Sequence, residues 1–388
     1  MAASALPANA TATTVVPTAA PASANPRLQA LLDELVAAGA PGVLAVVDDG
    51  QHTWRLSSGA GRLDPRRPLS PAARFRVGSI TKTFVATVVL QLVQEGQLRL
   101  DDSVERWLPG LVPAGGRISV RMLLNHTSGI LNYTDEPAFI QYLAHHRYST
   151  IPPRRLVQLA VSHPPVFPPG HGWSYSNTNY ILTGLIIEAA TGRSVQQLLA
   201  HRIFQPLGLS STEFPTAAVI RGYHSHGYLP ADNPFLPSPD GRPIDVTAIN
   251  PSWAWAAGAV TSTATDLATF YTALLGGHQL PPALLRAMET TVNVNPVFGY
   301  GLGLYTQRGP CGTIWGHDGG VPGFETIAYS SKAGDRHVTM MVNITTDNRT
   351  GPLFLLASQT AVCQMFGMVP PSQLSTTAPP RRDVQLLR

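Results

Sequence analysis

The chain is poor in lysine. Of its 27 lysine and arginine residues, only Lys82 and Lys332 are lysines. Nearly every cation is therefore a guanidinium, which keeps its proton in a protein, whereas a buried amine can release one. A lysine retained in such a background marks a position that uses a removable proton. Charge of either sign is scarce, at 13% of residues, and the formal net charge is only +4. No basic run and no basic–aromatic interleaving occurs, which argues against nucleic acid as a partner. No apolar run approaches the roughly 18 residues of a membrane span. Cysteine is almost absent: Cys311 and Cys363 are the only two. No histidine or carboxylate cluster stands at ligand spacing around them, so no metal site is expected, and no motif asks for a cofactor. In an exported protein the pair would be a disulfide; in the cytosol, two buried thiols.

What is present is enough apolar sequence, 44% of 388 residues, to bury a large core in one domain or two. Residues 1–26 are rich in Ala, Thr, Pro and Ser, carry no charge, and cannot build a core. They contain Ala-Asn-Ala and Ala-Ser-Ala, which resemble export cleavage sites, but lack a basic start and a long apolar stretch. The expectation is the remnant of an export signal, against a cloning or start-site extension. Residues 369–388 read as a polar, disordered tail.

Between these ends, Leu28–Ala38 reads as an amphipathic helix, Gly42–Val47 as a strand turning at Asp48–Gly50, and His52–Ser58 as its partner. Phe75–Val77 leads as a short strand into Val77–Glu95, whose apolar residues Phe84, Val85, Val88, Val89, Leu92 and Val93 fall at the spacing of a helix buried on more than one side. Further helices are expected at Ser119–Leu124, Glu136–Leu143, Pro153–Ser162, Asn179–Thr191, Val195–Ile203 and Thr265–Leu275, with 213–252 rich in loops. Strands return at Gly301–Tyr305, Gly312–Trp315, Thr326–Ser330 and His337–Val342, before a last helix at Pro352–Phe366. Strands at both ends around a helical middle predict an α+β fold, with a sheet region from 27–77 plus 258–368 and an inserted helical region at 78–257.

Three stretches carry chemistry. In Gly78-Ser79-Ile80-Thr81-Lys82 the serine is placed as the helix N-cap, and a spacing of three puts Lys82 one turn from it on the same side. The positive helix end favours an alkoxide on Ser79 and disfavours a charged ammonium on Lys82, so the amine can serve as base for the nucleophile. In Tyr175-Ser176-Asn177, alternation lets the phenol and the amide project together: a phenol near an ammonium relays protons, and the amide holds a substrate carbonyl or amide. In Trp315-Gly316-His317-Asp318-Gly319-Gly320, a strand is expected to end in a glycine-rich turn whose N–H groups can stabilise an oxyanion. The other histidines, His126 and His171 included, read as loop or capping groups.

In this order, Ser79-x-x-Lys82, Tyr175-x-Asn177 and His317-x-Gly319 resemble the three motifs of the penicillin-recognising serine enzymes: serine β-lactamases, DD-peptidases and their esterase relatives. The resemblance runs from about Gly42 to Cys363. It is strongest to the secreted Streptomyces D-alanyl-D-alanine carboxypeptidase, in FRVGSITKTF, LQLVQEGQL, YSNTNY, SWAWAAGAV and YGLGL, and in the two separated cysteines. It implies a β-lactamase/transpeptidase-like antiparallel sheet flanked by helices, and acyl transfer through an acyl-enzyme on Ser79. Lys82 and Tyr175 would exchange the proton, the N–H groups of Ser79 and Gly320 would form the oxyanion hole, and Asn177, Trp253, Asp318 and Gly319 would touch substrate. His317 stands where other members carry lysine. The implied partners are a peptidoglycan stem peptide ending in D-Ala-D-Ala and β-lactams as covalent ligands; the implied form is a secreted or cell-wall-associated monomer. Two positions depart from the carboxypeptidase pattern: Tyr305 replaces a carboxylate-binding arginine, with Arg308 displaced by three residues, and Asp318 replaces a threonine. These fit an esterase, D-aminopeptidase, peptide-cyclising thioesterase or weak β-lactamase on the same scaffold.

Overall fold

The structure is a computed structural model and describes residues 26–371. The expected export-signal remnant, apart from Pro26, and nearly all of the expected polar tail lie outside the described residues. The first helix, α1 (Pro26–Ala37), buries Leu28, Leu31, Leu32 and Leu35 along one stripe. The hairpin of β1 (Gly42–Asp48) and β2 (Thr53–Arg62) turns where the Asp48 and Asp49 carboxylates accept the N–H groups of Gly50 and Gln51 at 2.8 Å each, an aspartate-closed turn. A short strand, β3 (Arg67–Pro68), edges β2. The chain then leaves the sheet for α2 (Thr81–Gln94), α3 (Asn177–Thr191), α4 (Ala264–Leu275) and shorter helices between them. It returns as β4 (Val292–Asn295), β5 (Phe298–Tyr300), β6 (Tyr305–Gly309), β7 (Gly312–Val321), β8 (Phe324–Ser330) and β9 (His337–Val342), and ends in α5 (Thr350–Met365).

These nine strands form one antiparallel sheet in the order β3-β2-β1-β9-β8-β7-β6-β5-β4. The first long strand therefore pairs with the last, Val43 opposite Val342. Both faces are covered. Val43, Ala45 and Val47 pack with α1 and α5, while Leu44 and Val46 join the larger core that includes α2, α3 and α4. This explains why Gly42–Val47 is a continuous apolar run: a strand buried on both sides has no polar face to alternate with. α2 is buried from Thr81 to Leu90 and again at Leu92, in agreement with its all-round apolar pattern.

Four expectations are corrected. Ser79 does not hold the cap position of α2, which Ile80 occupies; it lies inside a 3-10 turn, Gly78–Ile80, that runs into α2. Gly301–Leu304 is a turn, closed by Gly301 N donating to Leu304 O at 2.8 Å, because Gly303 takes φ +73°. β7 does not stop at Trp315: His317–Gly320 are strand residues paired with β8, and the turn comes at Pro322–Gly323. The helix from Val195 ends at Leu199 and widens into a π turn, Ala200–Phe204.

Candidate active site

The Gly78–Ile80 turn is pressed against β7. A Cβ on Gly78 would sit 2.8 Å from Gly320 N, and one on Gly319 would sit 2.0 Å from Val77 O. Neither position admits a side chain, and Gly78 also takes φ +54°. The Thr326 hydroxyl, from β8, bridges the two segments by donating to Val77 O at 3.1 Å and Gly319 O at 3.2 Å. From the other side Val77 N donates to Val260 O at 3.0 Å, and Val260 N to the Thr81 hydroxyl at 3.0 Å. The turn that carries Ser79 is thus held against β7 at Gly319–Gly320.

Lys82 is wholly buried. Its Nζ donates to Ser79 Oγ at 2.8 Å, Asn177 Oδ1 at 2.7 Å and Ala257 O at 2.8 Å. These three contacts fix the amine beside the serine hydroxyl. The Tyr175 phenol oxygen lies 2.8 Å from Ser79 Oγ, and Lys82 Nζ lies 4.8 Å from the centre of the Tyr175 ring. Serine, amine and phenol therefore form one closed cluster through which a proton can pass. Tyr175 and Asn177 do project together, while the Ser176 hydroxyl turns away to Leu131 O. The Asn177 side-chain amide is engaged at both ends, Oδ1 accepting from Lys82 and Nδ2 donating to the Thr134 hydroxyl at 3.0 Å, while its backbone N–H donates to Asn132 Oδ1 at 2.9 Å.

The His317 ring is buried with its centre 6.3 Å from that of Tyr175. Its Nδ1 donates to Asp318 O at 2.5 Å, which leaves Nε2 to accept from the Tyr300 phenol at 2.8 Å. Burial pushes its pKa down to about 4, against the opposing pull of Asp318, so it is neutral at pH 7. Tyr175, His317 and Asp318 line a pocket whose remaining walls are largely Trp173, Phe298, Tyr300, Tyr305, Tyr329 and Ile314. Its wall includes neither lysine nor arginine. Tyr305, at the position where the carboxypeptidase pattern has arginine, turns its hydroxyl to that of Tyr329, 2.8 Å away. Ser79, Lys82 and Asn177 lie beside this pocket rather than on its wall. Trp253, expected to touch substrate, is packed in the apolar core, and its carbonyl accepts from the Tyr133 phenol; a large apolar ring is used there for burial.

Sequence reasoning missed Asn132, Thr134 and Ala257, single loop residues that no local pattern marks, and His126, which it assigned to a loop. Tyr300 opened the YGLGL stretch and was not singled out. Among the described residues no group of His, Cys, Asp or Glu could hold a metal ion, and no helix is long and apolar enough to cross a membrane. Cys311 and Cys363 are joined in a disulfide on the pocket's wall.

The chain is similar to known proteins over most of its length. The family described as Beta-lactamase matches residues 28–356. A D-stereospecific amidohydrolase from Streptomyces sp. superposes with a TM-score of 0.78 at 39% identity, over 88% of this chain and 99% of that one. D-amino acid amidase from Ochrobactrum anthropi SV3 superposes with the same TM-score at 28% identity, over 89% and 99%. Penicillin-binding protein 4* of Bacillus subtilis is 28% identical over 295 residues, 74% of this chain; the chain spans 64% of that relative's length. With its sheet, its Ser-x-x-Lys turn and this match over most of its length, the chain belongs to the beta-lactamase family of serine hydrolases.

Proposed function

We propose that the chain is an acyl-transfer enzyme whose donors are D-aminoacyl amides, esters or short peptides with a free amino group. Ser79 Oγ bonds to the donor's carbonyl carbon as its proton passes into the Lys82–Tyr175 pair. The oxyanion is held by the N–H groups of Ser79 and Gly320, with Asn177 against the acyl chain. Collapse breaks the bond to the leaving amine or alcohol, which takes the proton. Water then repeats the sequence and releases the acid, or an amine accepts the acyl group instead. Neutral His317 acts as a hydrogen-bonding wall of the site, not as a cation.

Asp318 carries the choice of donor. Its side chain is 22% exposed, and among the described residues it is the one formal charge on the wall of the pocket beside Ser79. A carboxylate there attracts an ammonium and repels a carboxylate. The names of the amidohydrolase and the amidase described above point the same way. A second reading, a D-alanyl-D-alanine carboxypeptidase acting on peptidoglycan stem peptides and acylated by β-lactams, draws on the similarity to penicillin-binding protein 4*; the missing cation at Tyr305 weighs against it. An exported location accords with the disulfide.

The test is a pair of D-alanyl p-nitroanilides, one with a free amine and one N-acetylated. The free amine is expected to be preferred, and Asp318→Asn to reduce that preference about tenfold, the effect of one partly screened charge pair. An unchanged preference in the variant would remove Asp318 from recognition. A preference for D-Ala-D-Ala peptides with a free C-terminus would favour the second reading.

A further inference from the structure

His126 is a non-glycine residue held at φ +62° and wholly buried. Such a conformation is sparsely populated and persists only where its surroundings enforce it. Three links tie it to the segment that carries Tyr175. His126 O accepts from Ser174 N at 3.1 Å. Its Nδ1 accepts from Ser176 N at 3.2 Å. Its ring lies against that of Tyr175, with centres 4.3 Å apart and planes 33° from parallel. The two residues flanking Tyr175 are thus bonded to one histidine, and the phenol ring rests on it.

The tautomer of that histidine is fixed by its neighbours. The Ser128 hydroxyl donates to Asn179 Oδ1 at 2.6 Å, which orients the amide so that its Nδ2 faces His126 Nδ1 at 3.3 Å. Nδ1 therefore meets two donors and must be an unprotonated acceptor. The proton sits on Nε2, which has no hydrogen-bond partner among the described residues and ends among the rings of Tyr175, Tyr300, Tyr180 and Trp173. Burial, with the Lys82 charge behind it, lowers the pKa well below the ordinary histidine value, so the ring stays neutral. Tyr300, on the other side, holds His317 Nε2. One imidazole thus touches the tyrosine beside Ser79 and the tyrosine behind His317.

We propose that His126 is a positioning residue: as a neutral Nε2–H imidazole it sets where the Tyr175 phenol stands relative to Ser79, and so the rate at which Ser79 is acylated. This rests on the acyl-transfer reading above. Loss of the Nδ1 acceptor would leave the Ser176 N–H and the Asn179 amide unpaired and let the Tyr175 segment shift; a displacement of about 1 Å is enough to slow a reaction roughly 100-fold.

The test compares wild type, His126→Asn, His126→Phe and His126→Ala in acylation by a p-nitrophenyl D-alanyl ester. Asparagine tolerates positive φ and places an amide oxygen near the Nδ1 position; phenylalanine keeps the ring contact and loses the acceptor. His126→Asn is expected to stay within about tenfold of wild type. His126→Phe and His126→Ala are expected to lose about 100-fold in kcat with KM changed less than threefold. Equal rates in the Asn and Phe variants, or a loss confined to KM, would overturn the proposal. Nitrogen NMR of His126 in the wild-type protein supplies a readout that needs no variant to fold: a proton on Nδ1 at pH 7 would also overturn it. Wild type left unacylated by the ester would refute the acyl-transfer reading itself, whereas an acylated wild type with indifferent variants would refute only the role of His126.

Discussion

Gly319→Ala tests how the site is built. The added Cβ would stand 2.0 Å from Val77 O and 2.9 Å from the Thr326 hydroxyl. Non-bonded atoms settle roughly 3.5 Å apart, so β7 and the Ser79 turn must separate by about 1.5 Å. The turn cannot yield freely, because Val77 is bonded to Val260 behind it. The movement therefore falls on the gap between the N–H groups of Ser79 and Gly320. Losing one oxyanion donor costs about 2.7–4 kcal/mol of transition-state stabilisation, or about 10²–10³ in kcat; the overpacking itself costs about 1–3 kcal/mol of stability. The assay is ester turnover normalised to folded protein, with a thermal melt alongside. Gly116→Ala is the control, since a Cβ there meets nothing within 4 Å and turnover should be unchanged. Wild-type kcat in a folded Gly319→Ala variant would refute the claim that the turn-to-strand approach builds the oxyanion site.

Lys82→Arg is expected to lower acylation about 10²–10⁴-fold, because a guanidinium keeps its proton; stopped-flow ester bursts measure it, and a retained rate would take Lys82 out of proton transfer. Stability should fall on acidification. His317, near 4 when folded and near 6.5 when unfolded, leaves the unfolded chain with the greater proton uptake below pH 6.5, so its stabilisation is intact above that pH and is lost progressively toward pH 4, about 3 kcal/mol in all. Urea titrations between pH 7.5 and 4 measure this, and His317→Gln should flatten the slope. Reduction of Cys311–Cys363, which closes a loop of 52 residues, should cost about 4 kcal/mol, read as a lower urea midpoint in reductant.

Much of this was legible because the sequence is locally consistent. The strand at Gly42 and the helix at α2 announce themselves by runs and periods that burial alone requires. Ser79 could be paired with Lys82, and Tyr175 with Asn177, because short spacings fix which side chains share a side; the resemblance to known enzymes joined the two pairs. The errors share one cause. A glycine-rich stretch such as 316–320 reads as a turn, yet here the glycines serve a strand that another backbone must approach closely, a requirement set by residues 240 positions away. Ser79 looked like a cap for want of any local sign that its hydroxyl was committed to Lys82 and Tyr175. Asn132, Thr134, Ala257 and His126 act through contacts that only the assembled fold creates.

The central claim is that Ser79 is a nucleophile served by an adjacent amine and phenol. Intact-mass measurement after brief exposure to a D-alanyl ester or to benzylpenicillin, with peptide mapping, tests it most directly. The account predicts a covalent acyl adduct on the peptide containing Ser79, absent in Ser79→Ala. An adduct that persists in that variant, or substrate turnover that survives it, would contradict the account.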